Sequence, residues 1–134
     1  MRSLCIRFPS GSSDTFRVHV PQEVIDEGEQ TLLAYCETRL GPELRDQIRL
    51  EVEREPAALT IVERRPAWQP DETDRSWTRL TVARFSYDAL SGKWMLSWSD
   101  SDQGWHPYAR VNPSKSVQVL LKEVDEDPTA IFWG

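Results

Sequence analysis

At 134 residues, 39% hydrophobic and 28% charged, the chain has the size and balance of one soluble globular domain whose core needs neither metal nor disulfide. Its formal charge of −6 disfavours general binding to a polyanion such as nucleic acid. No apolar run reaches membrane-spanning length, and Arg7 and Pro9 interrupt the N-terminus before a signal peptide could develop. A cytoplasmic location without membrane contact is the expectation.

Leu4, Ile6 and Phe8 alternate with Cys5 and Arg7, and Phe16, Val18 and Val20 alternate with Arg17 and His19. Period two on both sides of the polar stretch Pro9–Asp14 predicts an N-terminal hairpin over residues 1–20, with His19 on its solvated side. Pro21 opens and Gly41–Pro42 closes a predicted helix over 22–40. Ile25, Leu32, Cys36 and Leu40 form its stripe, widened by Val24, Leu33 and Tyr35. Gly28 inside that helix costs about 1 kcal/mol relative to alanine. A further helical turn is expected from Pro42 to Arg45. Cys5 and Cys36 lack metal or redox spacing and read as buried free thiols.

Antiparallel strands are predicted within residues 48–110. Ile48, Leu50 and Val52 alternate with Arg49, Glu51 and Glu53, and the β-branched run Leu59–Arg65 returns after the turn at Glu55–Ala58. Gln69–Ser76 reads as a solvated loop. Trp77–Tyr87 is strand-like with broken alternation, which predicts a bulge near Arg84 or burial on both faces. Turns at Asp88–Gly92 and Asp100–Gly104 bracket a strand that places Trp94, Leu96 and Trp98 on one face, and Trp105–Arg110 follows as a last short strand. Val117, Leu120, Leu121 and Val124 line a helix over 114–126 whose C-terminal acids oppose its dipole. Residues 129–134 are too apolar to stay in water and are expected to pack as an edge strand. The fold class that results is α+β: an antiparallel sheet of about six or seven strands with two helices packed on one face, in a single domain 1–134.

The runs Trp94-x-Leu96-x-Trp98, Gly104-Trp105-His106-x-Tyr108 and Phe132-Trp133-Gly134, with Glu63-x-Arg65-Pro66-x-Trp68, resemble a family of small uncharacterised bacterial proteins known as a domain of unknown function. The resemblance covers about residues 42–134. It implies a bacterial cytoplasmic protein and supplies no activity, cofactor or catalytic residue.

Two constellations are candidates for function. Asp100, Asp102 and His106 surround one turn, and two carboxylates with an imidazole are the donor types of a divalent metal or of acid–base chemistry. Against this stands the ordinary use of Asp and Gly in turns, and the chain contains no HExxH and no Gly-x-Ser-x-Gly. The second is the aromatic set Trp68, Trp77, Trp94, Trp98, Trp105, Tyr108 and Trp133. These are too many large rings to bury easily in a small core, so some are expected to form a platform flanked by Arg64 and Arg79. The competing reading is a core ladder across adjacent strands. The preferred function is a non-enzymatic binding or regulatory module recognising a protein or small ligand through Trp68, Trp77, Trp98, Trp105, His106 and Tyr108, with no cofactor. The alternatives are nucleic-acid binding through Arg64, Arg65, Arg79, Arg84 and the tryptophans, a metal-dependent hydrolase, and an acidic mimic that presents carboxylates to a basic partner. The ordinary reading of Arg64, Arg65, Arg75, Arg79 and Arg84 is that they line the solvent side of strands and pair with Glu63, Asp71, Glu72 and Asp74.

Overall fold

The computed structural model describes residues 19–44, 47–66 and 77–133. Helix α1 (Gln22–Arg39) is followed by a 3₁₀ turn at Pro42–Leu44 and then by β1 (Arg49–Glu55), β2 (Ala58–Arg64), β3 (Leu80–Asp88), β4 (Lys93–Ser99) and β5 (Trp105–Pro107), with helix α2 (Val117–Glu126) last. The strands form one five-stranded antiparallel sheet in chain order, β1-β2-β3-β4-β5. The fold is α+β. Five strands replace the expected six or seven among the described residues. Residues 1–18 of the predicted N-terminal hairpin, with Cys5, Trp68 and the whole 69–76 loop, lie outside them.

Cross-strand register sorts the side chains. Val52 faces Ile61, Ile61 faces Ala83, Leu59 faces Phe85, and Phe85 faces Leu96. Paired residues share a face, so these form one apolar layer. Ile25, Leu32 and Cys36 of α1 and Val117, Leu120, Leu121 and Val124 of α2 join them in a single core. The broken alternation of β3 has its cause at Val82. Ile61 pairs with Ala83 but Val62 pairs with Thr81, leaving Val82 as an extra residue. Both Val82 and Ala83 are thereby buried, and the bulge lies two residues before the position expected at Arg84.

The opposite sheet face carries the other parity: Glu51, Glu53 and Glu55 of β1, Thr60 and Arg64 of β2, and Arg84 of β3. Arg64 pairs with Glu51 and Glu53, Arg79 with Glu53, and Arg84 with Glu55. Thr60 is buried between Glu53 and Arg84, its neighbours across the two strands. Long charged side chains cover small residues in this way while keeping their heads in water.

Two features correct the sequence reading. Gly28 is no mere weakness of α1: a Cβ there would lie 2.9 Å from Trp94 Cζ2 and 3.1 Å from Leu59 Cδ1, so its absence lets the helix sit directly on the indole. The C-terminal segment is not an edge strand. Asp127 takes the left-handed conformation (φ 44°) and ends α2, and its carboxylate accepts hydrogen bonds from the backbone N–H groups of Ile131, Phe132 and Trp133. Those donors are turned inward onto one side chain and are no longer available to a neighbouring strand. The segment still packs: Phe132 is buried against Tyr108, and Trp133 donates its indole N–H to the Val124 carbonyl at 3.0 Å. Asp125 is likewise engaged, accepting from Tyr35 Oη and Arg39 Nη1 across the helix–helix contact.

Candidate functional site

The aromatic residues do not form one platform. Trp94 is 2% exposed and meets Tyr87 edge-on at 5.2 Å, which makes it a core residue beneath α1. Tyr108 is buried too, with its hydroxyl donating to Glu123 Oε2 at 2.8 Å. Burial and that carboxylate raise its pKa above the ordinary tyrosine value. It bolts the strand region to α2, and its ring is not available to a visitor. Trp77 lies under the Arg49 guanidinium at 4.0 Å, and Trp133 under that of Arg39 at 4.1 Å. Each ring is therefore already covered by a cation.

Trp98 and His106 remain. They are opposite each other on β4 and β5, and their rings stack at 4.6 Å with an interplanar angle of 28°. Sequence alternation brings this about: His106 pairs with Trp98, whereas Trp105 pairs with Ser99 and occupies the other face of the sheet. The expected grouping of Trp98, Trp105 and His106 on one surface is thus split by parity. The turn Asp100–Gly104 aims the histidine. Asp100 Oδ1 accepts from the backbone N–H groups of Asp102 and Gly104 at 2.9 and 2.8 Å, and Oδ2 lies 2.6 Å from His106 Nε2. Gln103 supplies the left-handed residue (φ 63°) that closes this turn. The bond to His106 and the two N–H groups hold the Asp100 carboxyl below its usual range, so it is an anion at neutral pH.

The imidazole is thereby fixed at Nε2 and by stacking, with its side chain 46% exposed. A ring held at one nitrogen by a carboxylate presents the other to a ligand in a set orientation. The metal reading loses its third ligand. Asp102 contributes its backbone N–H to Asp100, and among the described residues no group of three His, Cys, Asp or Glu side chains is placed to hold a metal ion. Among the described residues, the nearby Ser99 hydroxyl is engaged with Thr81 and the Asp100 carbonyl. What the cluster offers is a flat aromatic surface with one polar edge.

The arginines are spoken for. Arg64, Arg79 and Arg84 hold Glu51, Glu53 and Glu55 on the open sheet face, and Arg65 holds Glu63. The sequence reading paired the arginines with carboxylates nearby in the chain, whereas strand register gives Arg64, Arg79 and Arg84 the glutamates of β1 and leaves Glu63 to Arg65. The Asp100–His106 contact was visible in sequence as a cluster, and its actual role, orienting one imidazole, was not.

The chain belongs to the family described as Domain of unknown function (DUF3024), whose model matches residues 20–134. No curated protein and no solved structure matches the chain.

Proposed function

We propose that the protein is a non-catalytic binding module of the bacterial cytoplasm that recognises a partner protein through the Trp98–His106 surface. The observation that carries this reading is the stack itself: a half-exposed histidine, lying on a tryptophan and held by an anionic carboxylate, at the end of a hairpin. Tryptophan is the residue type most enriched at the energetic centres of interfaces, and an oriented imidazole adds directional hydrogen bonding. Trp94 and Tyr108 are committed to the core, and Trp77 and Trp133 lie under arginines. A nucleic-acid reading is weaker, since the arginines it requires are each balanced by a glutamate.

The test is affinity capture from the native cell with three proteins: wild type, Trp98→Ala and His106→Ala. A specific partner retained by wild type and lost by both variants, with the variants' circular dichroism unchanged, supports the reading. Equal capture by all three would overturn it. The two substitutions should weaken a purified complex by about 2 kcal/mol or more if this is the energetic centre.

A further inference from the structure

The Asp100 turn fixes more than the direction of the His106 ring. Oδ1 of Asp100 takes the backbone N–H groups of Asp102 and Gly104 at 2.9 and 2.8 Å, and Oδ2 is left to face Nε2 at 2.6 Å. Gly104 leaves room for this, since a Cβ there would lie 3.1 Å from the Oδ2 that meets the ring. An ionised carboxylate can only accept, so the proton of that bond belongs to Nε2. In the neutral ring Nδ1 then carries a lone pair. Among the described residues no other side chain hydrogen-bonds this imidazole, whose side chain is 46% exposed.

We propose that the partner group seated at His106 Nδ1 is a cationic N–H donor, the guanidinium of an arginine or the ammonium of a lysine. This rests on the reading of Trp98–His106 as the contact surface and adds the chemistry that the surface selects. Two observations lead there. The lone pair at Nδ1 calls for a donor, and it turns away a carboxylate or carbonyl, whose oxygen would face it with another lone pair. The charge nearby has one sign. From Trp94 to Ala109 the chain holds Asp100 and Asp102 and neither lysine nor arginine. Asp102 is exposed and takes no part in the ion pairs among the described residues. A donor that is also a cation answers both features, and its hydrogen bond is the stronger for the charge.

Nuclear magnetic resonance of the full chain, at about pH 8 where imidazole is neutral, tests this in two steps. The nitrogen shifts of the His106 ring should place the proton on Nε2. Titration with N-acetyl-arginine amide should then move the His106 and Trp98 resonances, with binding at least about tenfold tighter than that of N-acetyl-glutamate amide. Asp100→Asn keeps an acceptor for the two turn N–H groups and sets an N–H donor against Nε2, which moves the ring proton to Nδ1. In that variant the preference for the arginine probe should be lost, with the spectrum outside residues 98–106 unchanged. A proton on Nδ1 in the wild type would overturn the proposal, whether or not the variant folds. So would a glutamate probe that binds as well as the arginine probe, an arginine probe that leaves His106 unmoved, or a preference that Asp100→Asn retains in full. Each of these results is compatible with partner capture that fails in Trp98→Ala and His106→Ala, so this inference can fall while the contact surface stands.

Discussion

Gly28→Ala is the sharpest test of how α1 sits on the sheet. On helix propensity alone the change should stabilise the protein by about 1 kcal/mol, since alanine is the better helix former by that amount. The packing opposes this. The new methyl would lie 2.9 and 3.0 Å from two indole carbons of Trp94 and 3.1 Å from Leu59 Cδ1. Neither neighbour has room to retreat, because Trp94 is 2% exposed and Leu59 is fully buried. Inserting a carbon into such a site costs about 1–3 kcal/mol, and three simultaneous close contacts put this one toward the upper end. The net expectation is a loss of about 1–2 kcal/mol, or about 4–8 °C in Tm for a chain of this size. Thermal and urea melts followed by circular dichroism measure it directly. In a Trp94→Phe background the two indole contacts are gone and only Leu59 Cδ1 remains, so there Gly28→Ala should cost less than in the wild-type background. A stabilisation by Gly28→Ala in the wild-type background would refute the close-contact argument.

Asp127→Ala should release the C-terminal segment by removing the acceptor for three backbone N–H groups and by placing alanine at a positive φ. The expected loss is about 2–4 kcal/mol, accompanied by a red shift of tryptophan fluorescence as Trp133 gains water. The Cys36 thiol is pushed up to about 11 by burial. Because the folded pKa is raised, its contribution to stability is complete below the ordinary thiol value near 8.5 and is lost as pH rises through about 11. In a Cys5→Ser chain, labelling by a thiol reagent at pH 8 should therefore be slow in the native state and fast in urea, and fast native labelling would contradict the burial. Asp100 titrates the opposite way: its folded pKa is lowered, so its contribution is complete above the ordinary aspartate value near 4 and fades as pH falls through the lower folded value. The His106 ring resonances should accordingly keep their folded environment at pH 5, and loss of the stack at that pH would count against the geometry.

Much of the fold was legible because alternation is a strong signal. Residues 48–64 and 93–99 fell on strands almost to the residue, and the Leu120–Val124 stripe on a helix, since period two and period 3.6 follow directly from where apolar side chains must point. The tail was misread for a physical reason. Ile131, Phe132 and Trp133 look like a strand by composition, but their N–H groups answer to Asp127, an acceptor whose reach depends on one left-handed residue. Gly28 was misread similarly, as a propensity cost in isolation, because its partner Trp94 lies 66 positions away in sequence. The candidate site was half legible. His106 and Asp100 stood close in sequence, yet separating Trp98 from Trp105 required the β4–β5 register.

The arginine–glutamate lattice on the open sheet face has an electrical consequence. It cancels charge there almost one for one, and among the described residues the helices carry unbalanced acid. Helix α1 carries Glu23, Asp26, Glu27, Glu29 and Glu37 against Arg39 within its span, and α2 carries Glu123, Asp125 and Glu126 against Lys122. Among the described residues the helical side is consequently the more acidic, even with Arg54 of β1 paired to Asp26 and Glu29. A cationic body approaching from a distance is drawn toward the helices first, whatever surface it finally grips, and raising the salt should slow its arrival more than its departure.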